Sequence, residues 1–212
     1  MKTLLLMRHA KSSWKEPEMS DFDRPLNKRG KRSAPHMGEL LLEKELVPQL
    51  ILSSNAVRAR QTAEYTAAAC GFTGDIQYLD NLYLAEPAAY LDALSLVPDT
   101  LERVMVIGHN PGLEGLLQIL SGRIEALPTA TIAYLAMPIQ AWGELRGEVE
   151  GELLELLLPP EHELEEEAAK KDKEKGKEKE HEKEREKEKE REKEKEREKE
   201  KEHEKKKEKK DK

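Results

Sequence analysis

Residues 3–13 of the chain read TLLLMRHAKSS, an apolar run that ends abruptly in an arginine and a histidine. Four or five consecutive apolar residues are typical of a buried parallel β-strand. In open parallel α/β sheets, ligands bind beyond the carboxyl ends of the strands, where Arg8 and His9 would lie. A guanidinium group repels cations and binds phosphate or carboxylate through paired hydrogen bonds. The stretch therefore indicates an anion site, the alternative being a simple salt bridge in a loop.

A second strand-to-helix junction places another arginine where an anion would be expected. Residues 50–53 are short, apolar and β-prone, and a helix is predicted over residues 56–70, with Ser54 and Asn55 as its cap. Arg58 falls in the first turn of this helix. The free N–H groups and the macrodipole of a helix N-terminus already attract anions, so an arginine there is well placed only when an anion joins the two. Arg58 is therefore a candidate anion ligand, the alternative being a solvated surface arginine.

A third junction repeats the arrangement with a histidine. Residues 103–108, RVMVIG, are the clearest buried-strand pattern in the chain, and His109 follows them directly. Asn110 is expected to be the N-cap of the next helix and Pro111 its first residue. His109, like His9, would then lie at the carboxyl end of a strand and beside a helix N-terminus. A buried core histidine is the alternative, but a strand exit with two glycines and a proline favours a functional role.

The alternation of strand-like and helix-like segments predicts the fold class. It indicates a three-layer α/β/α fold with a mostly parallel sheet of roughly six strands, covered by helices on both faces. Asn27 is expected to cap the first helix, Gly71 to end the second, and Trp142 to pack in a turn between the last two strands. The predicted strands are 4–7, 50–53, 76–79, 103–108, 131–137 and 151–158, and the predicted helices are 28–45, 56–70, 88–96 and 113–120.

The 212 residues fall into two compositions. From about Ala168 onward the chain is almost wholly Lys, Glu and Arg, which leaves enough residues ahead of it for one domain with a proper core. We therefore predict one domain over residues 1–160 and a charged, low-complexity tail over residues 161–212. With almost nothing apolar to bury, the tail is expected to be disordered or a solvated helix without catalytic residues, either a solubilising appendage or an electrostatic docking segment.

Charge and cysteine content narrow the possible functions. Residues 1–169 carry 15 Lys and Arg against 26 Asp and Glu, a net −11, which argues against nucleic-acid binding. Nine of those 15 basic residues nevertheless lie in the first 32 positions, as expected around a site for an anionic substrate. The single cysteine, Cys70, cannot form an intrachain disulfide, and no stretch resembles a signal peptide or a membrane span. A cytoplasmic location without membrane contact is therefore expected.

Five segments together resemble the histidine phosphatase superfamily, whose fold is called phosphoglycerate-mutase-like, and within it the SixA group of phosphohistidine phosphatases. The segments are MRHAKSSW (7–14), DRPLNKRG (23–30), SSNAVRARQTA (53–63), LYLA (82–85) and GHNPG (108–112). They occur in order within residues 1 to about 160. Two positions depart from the usual pattern: Ala10 stands where glycine is common in the superfamily, and Asn55 stands where proline is common.

The resemblance implies a role for each matching residue. His9 would be the nucleophile that forms a phosphohistidine intermediate, Arg8 and Arg58 would hold the phosphoryl oxygens, and His109 would add a further donor. Ser12 is expected among the substrate-binding residues. The unperturbed pKa of about 6.5 leaves a histidine largely neutral at pH 7, and flanking arginines lower it further. No metal or cofactor is expected.

The general acid is not evident, and this bears on the substrate. Superfamily members that cleave phosphate esters generally place a glutamate in the loop that corresponds to residues 80–87, where this chain offers Asp80, Asn81 and Glu86. Imidazole is a better leaving group than an alkoxide, so a protein bearing phosphohistidine, such as a phosphotransfer protein, is the favoured substrate. A phosphatase of small phosphoesters and a catalytically silent scaffold that binds phosphorylated partners are the alternatives. The short body, without obvious insertions, disfavours a mutase.

Overall fold

The computed structural model describes residues 1–146 and 149–160. The predicted charged tail, residues 161–212, lies outside them, and its boundary and character stay predictions. The described elements are β1 (Lys2–Arg8), α1 (Gly30–Glu43), β2 (Leu50–Ser54), α2 (Val57–Ala69), β3 (Asp75–Leu79), α3 (Pro87–Ser95), β4 (Arg103–Gly108), α4 (Gly112–Ser121), β5 (Ile132–Met137) and β6 (Glu152–Leu157), with 3-10 turns at Asp80–Leu82 and Trp142–Arg146.

The strands form one sheet in the order β3-β2-β4-β1-β5-β6. β3, β2, β4 and β1 run parallel, whereas β5 is antiparallel to β1 and β6 is antiparallel to β5. The predicted six-stranded, mostly parallel α/β fold is therefore confirmed. At the centre of the sheet, Arg8 of β1 is in register with Gly108 of β4. The residues that follow, His9 and His109, consequently leave the same edge of the sheet side by side.

Side chains of β1 alternate between the two faces of the sheet, as the period of two in a strand requires. Leu4 and Leu6 pack into the core that α3 and α4 cover, and Leu5 and Met7 pack into the core that α1 and α2 cover. All four are fully buried, at about 1.5–3 kcal/mol of hydrophobic stabilisation for each side chain. Trp142 is also fully buried, and its Nε1 donates to the carbonyl oxygen of Leu101 at 2.9 Å. The helices therefore anchor the sheet from both sides.

The helix boundaries confirm two predicted signals. Asn27 Oδ1 accepts the backbone N–H of Gly30 at 2.9 Å, so it satisfies a free donor at the start of α1. Gly71 follows α2 with φ +67°, the left-handed conformation that ends many helices. Among the described residues, no helix is both long and apolar enough to cross a membrane.

Two predicted caps are wrong, because tertiary partners take the side chains. Asn55 Nδ2 donates to Asp80 Oδ1 at 2.6 Å and does not cap α2, whose N-cap residue is Ala56. Asn110 does not cap α4, because its Nδ2 donates to Glu114 Oε1 at 2.6 Å and to the carbonyl oxygen of Leu127 at 3.0 Å. Both asparagines therefore tie loops together at the edge of the sheet where the histidines emerge.

Candidate active site

His9 is held at the end of β1 by backbone contacts to two other elements. Its N–H donates to the carbonyl oxygen of Gly108 at 3.0 Å, and the N–H of Ala10 donates to Thr62 Oγ1 of α2 at 3.0 Å. The His9 ring is 8% exposed, with Nδ1 2.8 Å from the carbonyl oxygen of Ala10. A carbonyl oxygen only accepts, so Nδ1 carries the ring proton and Nε2 has a free electron pair. This is the tautomer that a nucleophilic Nε2 requires.

Arg58 joins the two histidines. It lies in the first turn of α2, as predicted, and is only 2% exposed. Its Nε donates to Nε2 of His9 at 3.2 Å, and its Nη2 donates to Nδ1 of His109 at 3.3 Å. A surface arginine, the alternative that the sequence left open, is thereby excluded.

His109 emerges from β4 through a tightly packed turn. Its backbone N–H donates to the hydroxyl of Tyr90 at 3.2 Å, and its ring lies 4.9 Å from the His9 ring, measured between centroids. Because Nδ1 accepts from Arg58, Nε2 carries the proton and donates it to Ser54 Oγ at 2.9 Å. The ring is therefore fixed at both nitrogens, and the structure places the two sequence-predicted histidines in one site.

Both histidines are neutral in the folded protein at pH 7. Burial, which disfavours the charged form, lowers the pKa of His9 to about 3, and the positive charges of Arg58, Arg8 and Arg24 act in the same direction. Burial likewise lowers the pKa of His109 to about 3, together with the nearby His9 and Arg58. A hydrogen bond to Ala10 opposes the shift for His9, and the Asp21 carboxylate opposes it for His109, without reversing either one. An unprotonated nucleophile is therefore available without a separate base.

Arg8 brings a second guanidinium group to the site. Its Nη1 donates to the carbonyl oxygen of Leu127 at 2.8 Å. Its Nε is buried and has no hydrogen-bond partner in the part of the chain that the structure describes. Burial lowers the pKa of Arg8, and the charge of Glu114 opposes that shift. A buried donor without a partner costs about 1–3 kcal/mol, so an anion that accepts from Arg8 would recover this energy.

Sequence reasoning missed Asp21, which connects three parts of the site. Its Oδ2 accepts from Arg58 Nη2 at 3.0 Å and from the Tyr83 hydroxyl at 2.6 Å, and its Oδ1 accepts from Arg24 Nη2 at 2.7 Å. Its backbone carbonyl oxygen accepts from Arg58 Nη1 at 2.5 Å. Desolvation would raise the pKa of Asp21, but the Tyr83 and Arg24 hydrogen bonds and the nearby arginines hold it well below the ordinary range. Asp21 is therefore a fixed anion that orients Arg58.

Ser12 takes part in the same network through Arg24. Its Oγ accepts from Arg24 Nη1 at 2.7 Å, and both residues are buried. The Arg24 guanidinium group lies 3.5 Å from the centroid of the Trp14 ring, which stacks on it from outside. The predicted contact between Ser12 and substrate stays a prediction, because in the structure the Ser12 hydroxyl is bonded to Arg24.

The loop after β3 supplies an aromatic ring rather than a carboxylate. No described contact joins His9 or His109 to Asp80, Asn81 or Glu86. All three of these side chains are exposed, and Asp80 bonds to Asn55. Tyr83 instead meets His109 edge-on, with 5.6 Å between the ring centroids. The three candidates for a general acid are thus not brought to the histidines.

The charges of the site favour an anion. Three guanidinium groups face two carboxylates, and the histidines between them are neutral, so positive charge is in excess. The charged residues are Arg8, Arg24, Arg58, Asp21 and Glu114. Among the described residues, no group of three or more His, Cys, Asp and Glu side chains is arranged to hold a metal ion. The arrangement can bind a tetrahedral oxyanion and present an unprotonated imidazole nitrogen to it.

Comparison with known proteins identifies the family. The sequence profile of the histidine phosphatase superfamily (branch 1) matches residues 4–83. SixA from Agrobacterium tumefaciens has 32% sequence identity to this chain and superposes with a TM-score of 0.65, covering 74% of this chain and 98% of its own. The chain belongs to the histidine phosphatase superfamily. Its fold is that of the SixA-like members, as the sequence resemblance predicted.

Two curated relatives match this chain over a longer stretch than the family profile does. An uncharacterized chloroplastic protein of Arabidopsis thaliana is 34% identical over 151 residues, which cover 66% of this chain and 69% of the relative. An uncharacterized protein of Mycobacterium tuberculosis is 34% identical over 140 residues, which cover 61% of this chain and 85% of the relative.

Proposed function

We propose that the protein is a phosphatase that removes phosphate from phosphohistidine on proteins, through a covalent phosphohistidine intermediate on His9. The observation that carries the proposal is the state of the His9 ring. Its Nδ1 proton is fixed by the carbonyl oxygen of Ala10, and its unprotonated Nε2 lies beside the buried guanidinium group of Arg58. The histidine phosphatase family and the similarity to SixA support the same class of reaction.

In the first step, the electron pair on Nε2 of His9 attacks the phosphorus atom. A bond forms between Nε2 and phosphorus as the bond between phosphorus and the substrate imidazole breaks, and that imidazole leaves with the electron pair and takes up a proton from solvent. In the second step, water attacks the phosphorus atom and loses a proton to solvent, the bond between phosphorus and Nε2 breaks, and Nε2 regains its electron pair as phosphate leaves. The Nδ1 proton stays on the ring throughout and is held by Ala10.

Arg8 and Arg58 would bind the phosphoryl oxygens during both steps. Phosphoryl transfer depends mainly on positioning and on neutralising charge, and both groups are already placed and largely desolvated. Loss of one such donor typically slows a reaction by about 100-fold to 1,000-fold. The absence of Asp80, Asn81 and Glu86 from the described contacts of the histidines fits a leaving group that needs little help from an acid.

The first test is phosphate release from a phosphohistidine-bearing protein and from p-nitrophenyl phosphate, with EDTA present. Wild type is compared with His9→Ala and with His36→Ala, a matched control on α1 whose side chain pairs with Glu39. We expect turnover of the phosphohistidine protein that is lost in His9→Ala and kept in His36→Ala. Alkaline quenching should preserve a labelled phosphoryl group on wild type and leave none on His9→Ala.

The other outcomes separate the alternatives. Equal or faster turnover of p-nitrophenyl phosphate would contradict the preference for phosphohistidine and indicate a broader phosphatase. No turnover of either substrate would contradict the enzyme and favour a scaffold that binds phosphorylated partners. Loss of activity in EDTA alone would contradict a metal-independent reaction.

A further inference from the structure

A groove beside the candidate active site is lined by basic side chains. It has a volume of about 490 Å³ and lies between the loop after β1 and the first turns of α1. None of the described residues that line it is acidic, and the charged ones among them are Lys15, Lys28, Arg29, Lys31 and Arg32. We refer to these five residues and their surface as the basic groove.

The basic groove adjoins the chain segment that follows His9, since Ser13 is one of its lining residues. In a short ribbon at the groove, the N–H of Ser13 donates to the carbonyl oxygen of Pro25 at 2.8 Å, and the N–H of Asn27 donates to that of Lys11 at 3.0 Å. Gly30 packs directly against this ribbon, because a Cβ at Gly30 would lie 2.3 Å from the carbonyl oxygen of Lys11. Ser13 is four residues from His9, at most about 14 Å along an extended chain. A protein segment in the groove would therefore lie within the length of a short peptide of His9.

The lysines of the groove leave their charge available. Lys15, Lys28 and Lys31 are exposed, and none of them has an ion-pair partner among the described residues. Arg29 and Arg32 have interactions of their own, so the three lysines supply the positive charge that a bound segment would meet. Residues 1–169 as a whole carry a net −11, so the groove is a local positive field on an acidic body. Such a field attracts a short acidic segment, whereas the rest of the body repels a long polyanion such as a nucleic acid.

Trp14 adds an apolar contact next to the groove. The side chain is 73% exposed, yet its ring is stacked on the buried guanidinium group of Arg24 and so is not a loose surface group. Tryptophan is enriched among the residues that contribute most to protein–protein binding. Arg24 in turn bonds to Asp21, which bonds to Arg58. Trp14 therefore connects an outer contact surface to the phosphate-binding arginine.

We infer that the basic groove and Trp14 dock an acidic segment of the protein that carries the phosphohistidine. The inference rests on the proposed function, which it makes more specific: the substrate is a protein recognised by acidic residues near the phosphohistidine, not a free phosphorylated metabolite. Electrostatic complementarity of this kind mainly raises the association rate and the specificity, and it weakens as salt increases.

The test uses two synthetic phosphohistidine peptides of equal length, one with glutamates and one with glutamines around the phosphohistidine. Binding is measured by fluorescence anisotropy and turnover by phosphate release, at low and at raised ionic strength, with phosphoramidate as a small substrate. The variant Lys28→Glu/Lys31→Glu lowers the charge of the groove by four. The matched control Arg123→Glu/Arg146→Glu makes the same change in net charge at exposed residues that pair with Glu125 and Asp92, outside the groove.

We expect wild type and the control to favour the acidic peptide by about tenfold at low salt, in both Kd and kcat/KM. The Lys28→Glu/Lys31→Glu variant should lose this preference, and phosphoramidate turnover should be the same in all three proteins. A preference that persists in Lys28→Glu/Lys31→Glu, or is absent in wild type, overturns the docking surface while phosphoramidate turnover still supports a phosphatase. The expected binding pattern without any turnover supports the docking surface and overturns the proposed function.

Discussion

The connection from β1 to α1 and the connection from β4 to α4 each place a histidine in the site, but they differ in length and in the contacts that hold them. His9 is followed by a long loop that reaches α1 only at Gly30, whereas His109 is separated from α4 by Asn110 and Pro111 alone. Both rings are nevertheless buried, neutral and bonded to Arg58.

The two connections are stabilised by different kinds of contact. The short one depends on close backbone packing, since a Cβ on Gly108 would lie 2.3 Å from the Tyr90 hydroxyl, and one on Gly112 would lie 1.8 Å from the carbonyl oxygen of Ala85. The long one also has backbone bonds, but the contacts that reach the site are side-chain bonds of Asp21 to Arg58 and Arg24. Substitution of the tightly packed glycines of the short connection should therefore cost stability, whereas loss of the Asp21 contacts should cost activity and leave the fold intact.

The prediction with the largest expected effect tests whether the His9 and His109 rings are equally resistant to protonation. Unfolded histidines take up protons below pH 6.5, whereas folded His9 and His109, with pKa values of about 3, do not, so lower pH favours the unfolded state. Between pH 6.5 and pH 5 the two should together lower the free energy of unfolding by about 3.3 kcal/mol. Urea unfolding across this range should show half that pH dependence in either His9→Gln or His109→Gln. A wild-type slope in His9→Gln would mean that His9 titrates normally and that the connections differ in chemistry as well as in length.

A smaller effect is expected from Gly112→Ala, which attacks the short connection. The new Cβ would overlap the carbonyl oxygen of Ala85, a backbone atom that cannot rotate away. We expect a loss of about 3 kcal/mol in the free energy of unfolding, measured by urea titration. The control is Gly143→Ala, where nothing lies within 4 Å of the new Cβ. Equal stability of the two variants would show that the short connection is not held by backbone packing.

The smallest effect is expected from Asp21→Asn, which attacks the long connection. The amide loses the charge that Arg58, Arg24 and Tyr83 all bond to, so Arg58 is no longer held in one orientation. We expect kcat to fall about tenfold, with a loss of about 1–2 kcal/mol in the free energy of unfolding, because the buried Arg58 and Arg24 lose a charged acceptor. KM for an anionic substrate should not rise, because removing a negative charge favours anion binding. The control is Asp23→Asn, whose carboxylate bonds to Ser20 at the surface. A large loss of stability with unchanged kcat would reverse the comparison.

The fold was predictable because its signals are local. The apolar strand runs, the alternation with helices and Gly71 as a helix end depend on neighbouring residues, and the structure confirms them. The meeting of Arg8, His9, Arg58 and His109 also followed from sequence, since the carboxyl ends of parallel strands share one edge of the sheet. Their roles in catalysis stay predictions.

The errors and omissions arise where distant residues decide the outcome. Asn55 and Asn110 have the residue type of a helix cap, but Asp80, Glu114 and Leu127 compete for their side chains. Asp21 and Asp23 look alike in the sequence of an irregular loop. Only folding shows that Asp21 meets Arg58, 37 positions away, and that Asp23 stays at the surface.

All three nitrogens of Arg58 are already engaged before any substrate arrives: with His9, with His109, and with the carboxylate and carbonyl oxygens of Asp21. The oxygens of an incoming phosphoryl group must replace some of these acceptors. The net binding free energy is therefore the difference between the hydrogen bonds that form and those that are lost. When free phosphate leaves, the guanidinium group returns to its protein partners, so we expect free phosphate to inhibit only weakly. In the proposed reaction, the contacts that hold Arg58 in place would also favour release of the product.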